Sequence, residues 1–231
     1  FECEEYICTH SCYHNMPHNF IYIINPISKK KKKKDLQLLI EKNTKEQDIP
    51  FQIFPTVASG DYGFLHSIIK EQKITDVVIA GGDGTASQVI NSLMDCDVNF
   101  GIIPCGSGND YIKTFGKPED FLSIDKQLKA KSQTVDMIRS GDRLSINLCS
   151  IGLDAKVAYN MVSFKKVPFI SGSMAYDFAL LRTLLGRIGD QLEITIDGVK
   201  KYEGNYLFAL AGSGKYYGGG YCGAPQAIPN D

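Results

Sequence analysis

Residues 77–91 read VVIAGGDGTASQVIN. Val77, Val78, Ile79 and Ala80 are an apolar, β-branched run of the kind that fills a buried strand. The run empties into Gly81, Gly82, Asp83, Gly84 and Thr85, and a helix-like pattern follows at once. Two glycines at a strand end let backbone come close to a neighbour with no Cβ in the way. A helix starting near Thr85 aims its unpaired N–H groups and positive dipole end at the same place.

Outward from this stretch the same grammar repeats. FIYIIN (20–25), FQIFPT (51–56), VVIAGG (77–82) and FGIIPC (100–105) are strand-like. They alternate with stretches expected to be helical over about 36–47, 62–72, 85–95 and 119–131. Near-continuous apolar strands alternating with helices specify a parallel sheet covered on both faces. Such sheets bind ligands at the carboxyl ends of their strands. Those ends carry Asn25-Pro26-Ile27-Ser28, Pro55-Thr56, Gly81 to Thr85, and Pro104-Cys105-Gly106-Ser107-Gly108-Asn109-Asp110.

From about 132 the pattern changes. TVDMIRSGDRLSINLCSIG (134–152) and QLEITIDGVKKYEGNYLFALAGSG (191–214) are expected to be antiparallel strands, the second with a hairpin turn at Asp197-Gly198. SGSMAYDFALLRTLLG (171–186) between them is helical in pattern, amphipathic, and expected to face a core. The fold class is therefore α/β: a Rossmann-like parallel-sheet domain over 19–131, then a mainly antiparallel β-sandwich over 132–231. The latter is expected to be incomplete at its C-terminus. The first 18 residues read as a tail. Cys3, Cys8 and Cys12 with His10, His14 and His18 raise a metal site there, against which stands the lack of paired C-x-x-C spacing.

Composition narrows the function. Six of the 25 basic residues sit at 29–34, leaving 19 against 26 acidic ones, too few for a general nucleic-acid face. The lysine run reads as a solvated helix start, or as a contact for an anionic membrane surface. No apolar run is long enough to span a bilayer. Seven cysteines without a compact framework point to free thiols and a reducing, cytoplasmic setting, with Cys96, Cys105 and Cys149 in apolar or strand-like surroundings. His66, inside a helical stretch, reads as surface or packing. Tyr216 to Tyr221 reads as a glycine-rich bend or as an acyl-chain entry.

Gly81 to Thr85 have two readings. One is a phosphate site in which Mg²⁺ reconciles the Asp83 carboxylate with phosphate oxygens. The other is a structural turn in which Asp83 only caps the helix. No G-x-x-x-x-G-K-[ST] occurs, and no G-x-G-x-x-G follows the first strand.

Asn25-Pro26-Ile27-Ser28, Gly81 to Thr85 and Pro104-x-Gly106-Ser107-Gly108-Asn109-Asp110 resemble three ordered signatures of the diacylglycerol kinase catalytic domain family, which includes sphingosine kinases and bacterial lipid kinases. Asn147-x-x-x-x-Gly152-x-Asp154-Ala155 and Ala224-Pro225-x-Ala227 resemble two later ones. The resemblance implies ATP-dependent phosphorylation of a lipid hydroxyl, diacylglycerol-like, by a bacterial-type enzyme peripheral at the inner membrane face. Asn25, Pro26, Ile27, Ser28, Lys29 and Thr56 would contact ATP. Gly81, Gly82, Asp83, Gly84, Thr85, Ala86, Ser87 and Gln88 would hold its phosphates, with Ser107 where the family usually has Thr. Asp83 would organise Mg²⁺, and Asp231 aligns with an Asp that helps hold a structural Mg²⁺ in bacterial members. The general base of those members lies further along than 231, which leaves Asp83 as the catalytic candidate here. A homodimer is a further expectation. Two other functions stay open: an NAD kinase, which also uses a Gly-Gly-Asp-Gly loop, and a non-catalytic nucleotide-binding protein.

Overall fold

The computed structural model describes residues 2–4, 18–25, 30–164, 179, 181–186 and 188–230. In chain order these form β1 (Glu2–Glu4), β2 (Phe20–Ile24), α1 (Lys30–Glu46), β3 (Phe51–Pro55), α2 (Leu65–Gln72), β4 (Asp76–Gly81), α3 (Asp83–Leu93), β5 (Asn99–Pro104) and α4 (Ile124–Leu128). Then come β6 (Met137–Ser140), β7 (Arg143–Ser145), β8 (Leu148–Gly152), α5 (Leu153–Phe164), β9 (Asp190–Ile196), β10 (Val199–Tyr206), β11 (Phe208–Gly212), β12 (Tyr216–Tyr217) and β13 (Tyr221–Cys222).

Four strands pair in the order β3-β2-β4-β5, all parallel. Alternation along β2 divides the core. Ile21 and Ile23 join Val77 and Ile79 of β4 on one face, against Leu65 and Ile69 of α2 and Ala86, Val89, Ile90 and Leu93 of α3. Phe20, Tyr22 and Ile24 join Val78 and Ala80 on the other, against Ile40 of α1 and Ile124 and Leu128 of α4. Both faces are covered, and for this reason β2 and β4 are apolar at every position but Asp76.

Asp76 is buried at the start of β4. It accepts from Thr75 Oγ1 (2.7 Å) and Asn99 Nδ2 (3.0 Å), and its Oδ2 meets His18 Nδ1 at 2.7 Å. Within the stretch read as a tail, His18 is thus tied to the sheet, and Glu2–Glu4 pairs antiparallel with β6.

Helix ends differ from expectation for local reasons. The lysine run begins α1 at Lys30. Gly82, extended at φ −104° and ψ −177°, is the N-cap of α3, so that helix starts at Asp83 rather than Thr85. The single helix expected over 119–131 is a 3₁₀ turn, Pro118–Leu122, followed by α4. Ser123 makes the break, because its hydroxyl accepts from Lys126 N–H and caps a new helix.

The chain divides into two compact units: Phe1–Leu148 with Gly212–Asp231, and Cys149–Ala211. The first also holds the antiparallel sheet β1-β6-β7 and the hairpin β12–β13. In the second, β9 and β10 pair antiparallel through Asp197 (φ 52°) and Gly198 (φ 74°), the two left-handed residues of a type I′ turn. Of the helix expected over 171–186, residues 179 and 181–184 are helical and 171–178 lie outside the described residues.

Candidate functional site

The chain leaves β2 for β3 on one side and returns to β4 on the other. The β2/β4 gap is therefore the point where strand order reverses, the usual place for a ligand in such sheets. Asn25 stands at its carboxyl end, its N–H donating to Ala80 O (3.0 Å). Thr56 follows β3, with its N–H on Ile24 O (3.1 Å). The loops after β4 and β5 complete this edge.

Those two loops touch backbone to backbone. A Cβ on Gly82 would lie 2.9 Å from Gly106 Cα, and one on Gly106 would lie 2.5 Å from Gly82 Cα. Gly82 has an ordinary φ, so a side chain is excluded there by the neighbouring loop alone. Asn109, left-handed at φ 51°, holds that loop in shape. Its Oδ1 accepts from Gly106 N–H and its Nδ2 donates to Gly106 O, both at 2.9 Å.

Asp83 opens α3 but is turned toward the second loop. Its Oδ1 accepts from Tyr111 N–H (3.1 Å), and its Oδ2 is 3.1 Å from where a Gly108 Cβ would stand. Asp110 Oδ2 is 3.3 Å from the same point, so two carboxylates flank Gly108. Asp110 is buried, accepts from Lys113 Nζ (2.7 Å), and also accepts from Gly219 N–H (2.8 Å). Tyr111 packs edge-on against Phe115, and burial pushes its hydroxyl well above the usual tyrosine range.

An anion and a divalent cation both fit these groups. The first-turn N–H groups of α3 lack intrahelical acceptors, and Gly82 provides no side-chain cap. A Cβ on Gly84 would meet nothing within 4 Å, which leaves open space at the helix mouth. Asp83, the first residue of the same helix, is a half-buried carboxylate turned toward the second loop, the hard oxygen donor that Mg²⁺ takes beside phosphate oxygens.

Of the residues singled out from the sequence, Asn25, Thr56, Gly81 to Thr85 and Ser107 thus share one edge of the sheet. Thr85 folds back over Gly81, while Ser107 is exposed on its loop. Ala86 points into the core, Ser87 is exposed, and Gln88 lies against Gly60 on the second turn of α3. Pro26, Ile27, Ser28, Lys29 and Asp231 lie outside the described residues. The sequence reading assigned no role to Asn109, Asp110 or Lys113. Asn after glycine was a signal for the left-handed residue; nothing local announced that Asp110 would hold Gly219. Asn147 also proves structural, its carbonyl accepting from Ser213 and Gly214 N–H and its Nδ2 donating to Tyr216 O, all at 2.9 Å. Tyr216 to Tyr221 forms a glycine bend.

The second unit has its own features. Asp154 Oδ1 accepts from Ala155 N–H (2.9 Å), while its Oδ2 is buried without a partner. An open groove of about 720 Å³ is lined by Ile151, Ala155, Tyr159, Lys156 and Arg182 among others. Lys156 pairs with Asp190 at 2.7 Å.

Residues 19–140 match the family model described as "Diacylglycerol kinase catalytic domain". A Staphylococcus epidermidis protein named "Putative lipid kinase" is 30% identical over 174 residues, covering 73% of this chain and 56% of that protein. One of the same name from Staphylococcus aureus is 30% identical over 156 residues, 66% of this chain and 50% of that protein. The chain thus spans about half the length of the curated relatives it matches. The solved structure titled "Crystal structure of a putative diacylglycerol kinase from Bacillus anthracis str. Sterne" superposes with a TM-score of 0.69 at 22% identity, over 93% of this chain and 70% of that one. Its likeness is one of fold. With Asn25, Gly81 to Thr85 and Gly106 to Asp110 on one sheet edge and the family model matching more than half of its residues, this chain belongs to the diacylglycerol kinase catalytic domain family.

Proposed function

We propose that the chain carries the nucleotide site of a kinase that uses ATP and Mg²⁺ to phosphorylate a lipid hydroxyl, with a diacylglycerol-like acceptor. One observation carries this reading: two glycine loops meet backbone to backbone at the N-terminus of α3, where Gly84 faces open space and the Asp83 carboxylate is held by Tyr111 N–H of the second loop. In this reading the N–H groups of Gly84 and Thr85 hold phosphate oxygens. Asn25, Pro26, Ile27, Ser28, Lys29 and Thr56 line the nucleotide, and Ser107 offers a hydroxyl from the facing loop. Tyr111 N–H keeps the Asp83 carboxylate oriented toward the metal. Mg²⁺, when bound, supplies charge neutralisation at the transferring phosphoryl group. Asp231 is proposed for a second, structural Mg²⁺.

The β-rich part from 132 would receive the lipid. Its groove combines apolar walls with Lys156 and Arg182, a chemistry suited to an amphiphile. The part of the lysine run from Lys30 onward opens α1, the helix that follows β2, on the same sheet edge as the glycine loops. It would draw that edge to an anionic membrane at about 1 kcal/mol per lysine near the surface. Among the described residues no helix is long and apolar enough to cross a membrane.

Calorimetry of MgATP binding tests the nucleotide reading. The chain is expected to bind ATP only with Mg²⁺, and Asp83→Asn to weaken that by about tenfold or more, roughly 1.4 kcal/mol, with unchanged circular dichroism. A folded chain that binds no ATP ends the reading. Equal MgATP affinity in Asp83→Asn removes Asp83 from the metal site. Phosphate transfer to diacylglycerol in mixed micelles then tests the acceptor.

A further inference from the structure

At the end of α3 opposite the Gly81–Thr85 loop, three metal-ligating side chains converge. His66 of α2 meets Asp95 and Cys96 in the turn after α3, and their ligand atoms all lie within 4.8 Å of one another. The histidine is already oriented as a ligand. Its Nδ1 is 2.7 Å from Gly63 O, and a carbonyl can only accept, so Nδ1 carries the proton. Its Nε2 faces Asp95 Oδ1 at 2.8 Å, and a carboxylate also only accepts. The contact brings an imidazole nitrogen and a carboxylate oxygen, both metal donors, to one point. A backbone carbonyl holding the far ring nitrogen is the outer-shell arrangement that metal-bound histidines use.

We propose that His66, Asp95 and Cys96 form a site for a borderline-soft divalent ion, Zn²⁺, with water as fourth ligand. Nitrogen, oxygen and sulfur donors together favour Zn²⁺ and disfavour Mg²⁺, which takes oxygen alone. In a tetrahedral site the donor atoms stand about 3.3–3.8 Å apart, given Zn–N near 2.0 and Zn–S near 2.3 Å. The His66–Asp95 contact has to open slightly, and Asp95, with 71% of its side chain exposed, is free to move. His66 is 39% exposed, which leaves room for the water. Asp61 adds negative potential at His66, which favours a cation. Cys96 would contribute its sulfur as thiolate, so binding releases the thiol proton. The ion would clasp the start of α2 to the end of α3. This site is independent of the kinase reading and stands or falls separately.

Co²⁺ titration of the full chain, followed by absorption spectroscopy, is the test. The expected result is a thiolate-to-cobalt charge-transfer band that saturates at a single equivalent. Zn²⁺ should abolish the band, while excess Mg²⁺ should leave it. Cys96→Ser should lose the band, and His66→Asn should bind Co²⁺ about tenfold or more weakly, each with an unchanged circular dichroism spectrum. The triple variant Cys3→Ser, Cys8→Ser, Cys12→Ser should keep the band, since those thiols belong to the N-terminal stretch. Absence of the band in the folded chain overturns the site. So does a band that survives Cys96→Ser, one lost in the 3/8/12 variant, or undiminished affinity in His66→Asn.

Discussion

Gly82 and Gly84 are two residues apart and have opposite reasons to be glycine. Gly82 faces the Gly106 backbone, so Gly82→Ala must push two loops apart at a cost of about 1–3 kcal/mol. Gly84 faces open space inside the first turn of a helix, where alanine is the better helix former by up to about 1 kcal/mol. Urea denaturation should therefore show Gly82→Ala destabilised and Gly84→Ala unchanged or more stable. If phosphate occupies the open space, Gly84→Ala should nonetheless bind MgATP more weakly. A Gly84→Ala protein that is stable and binds normally would place the phosphates elsewhere. The strand-to-helix position of Asp83 was legible in the sequence, because a β-branched run and a glycine turn are local signals. Its hydrogen bond to Tyr111, 28 residues away, was not.

At the scale of elements, α3 ties the main sheet to the smaller one. Asn91 Nδ2 donates to Leu144 O and its Oδ1 accepts from Leu144 N–H, both at 2.8 Å. β7 is an edge strand in the order β1-β6-β7, so this amide occupies backbone groups that an edge otherwise leaves open. Asn91→Ala strands both groups and should cost about 1–3 kcal/mol. Asn91→Asp keeps the acceptor and should fall between. Equal urea midpoints for all three proteins would show that water replaces the amide without loss. Helix positions were legible to within a turn at α2 and α3, whose apolar faces repeat at helical spacing. The break at Ser123 was missed, since a cap competes with periodicity only once neighbouring turns have docked.

Across the whole molecule, burial is uneven. Every residue of β2 and β4 is buried, whereas β10 is mostly exposed and β9 alternates. A two-stranded ribbon with so little buried surface is marginal by itself. Amides of β2 and β4 should exchange with solvent only on global unfolding, and those of β9 and β10 through local opening. Hydrogen exchange read by mass spectrometry decides this, and equal protection of both would contradict it.

What the sequence determined by itself is what short-range chemistry specifies. Near-continuous apolar runs, helical spacing between them and turn residues at the strand ends sufficed for a doubly covered parallel sheet with glycine loops at the carboxyl ends of its strands. The Asp197-Gly198 hairpin was equally local. Tertiary structure decided which loops meet. Gly82 against Gly106, Asp83 on Tyr111, Asp110 on Gly219 across 109 residues, and His66 beside Asp95 and Cys96 all depend on the strand order β3-β2-β4-β5 and on the helices packed over it. That order is set by burying both sheet faces at once, a condition that involves the whole core and that no short stretch of sequence contains.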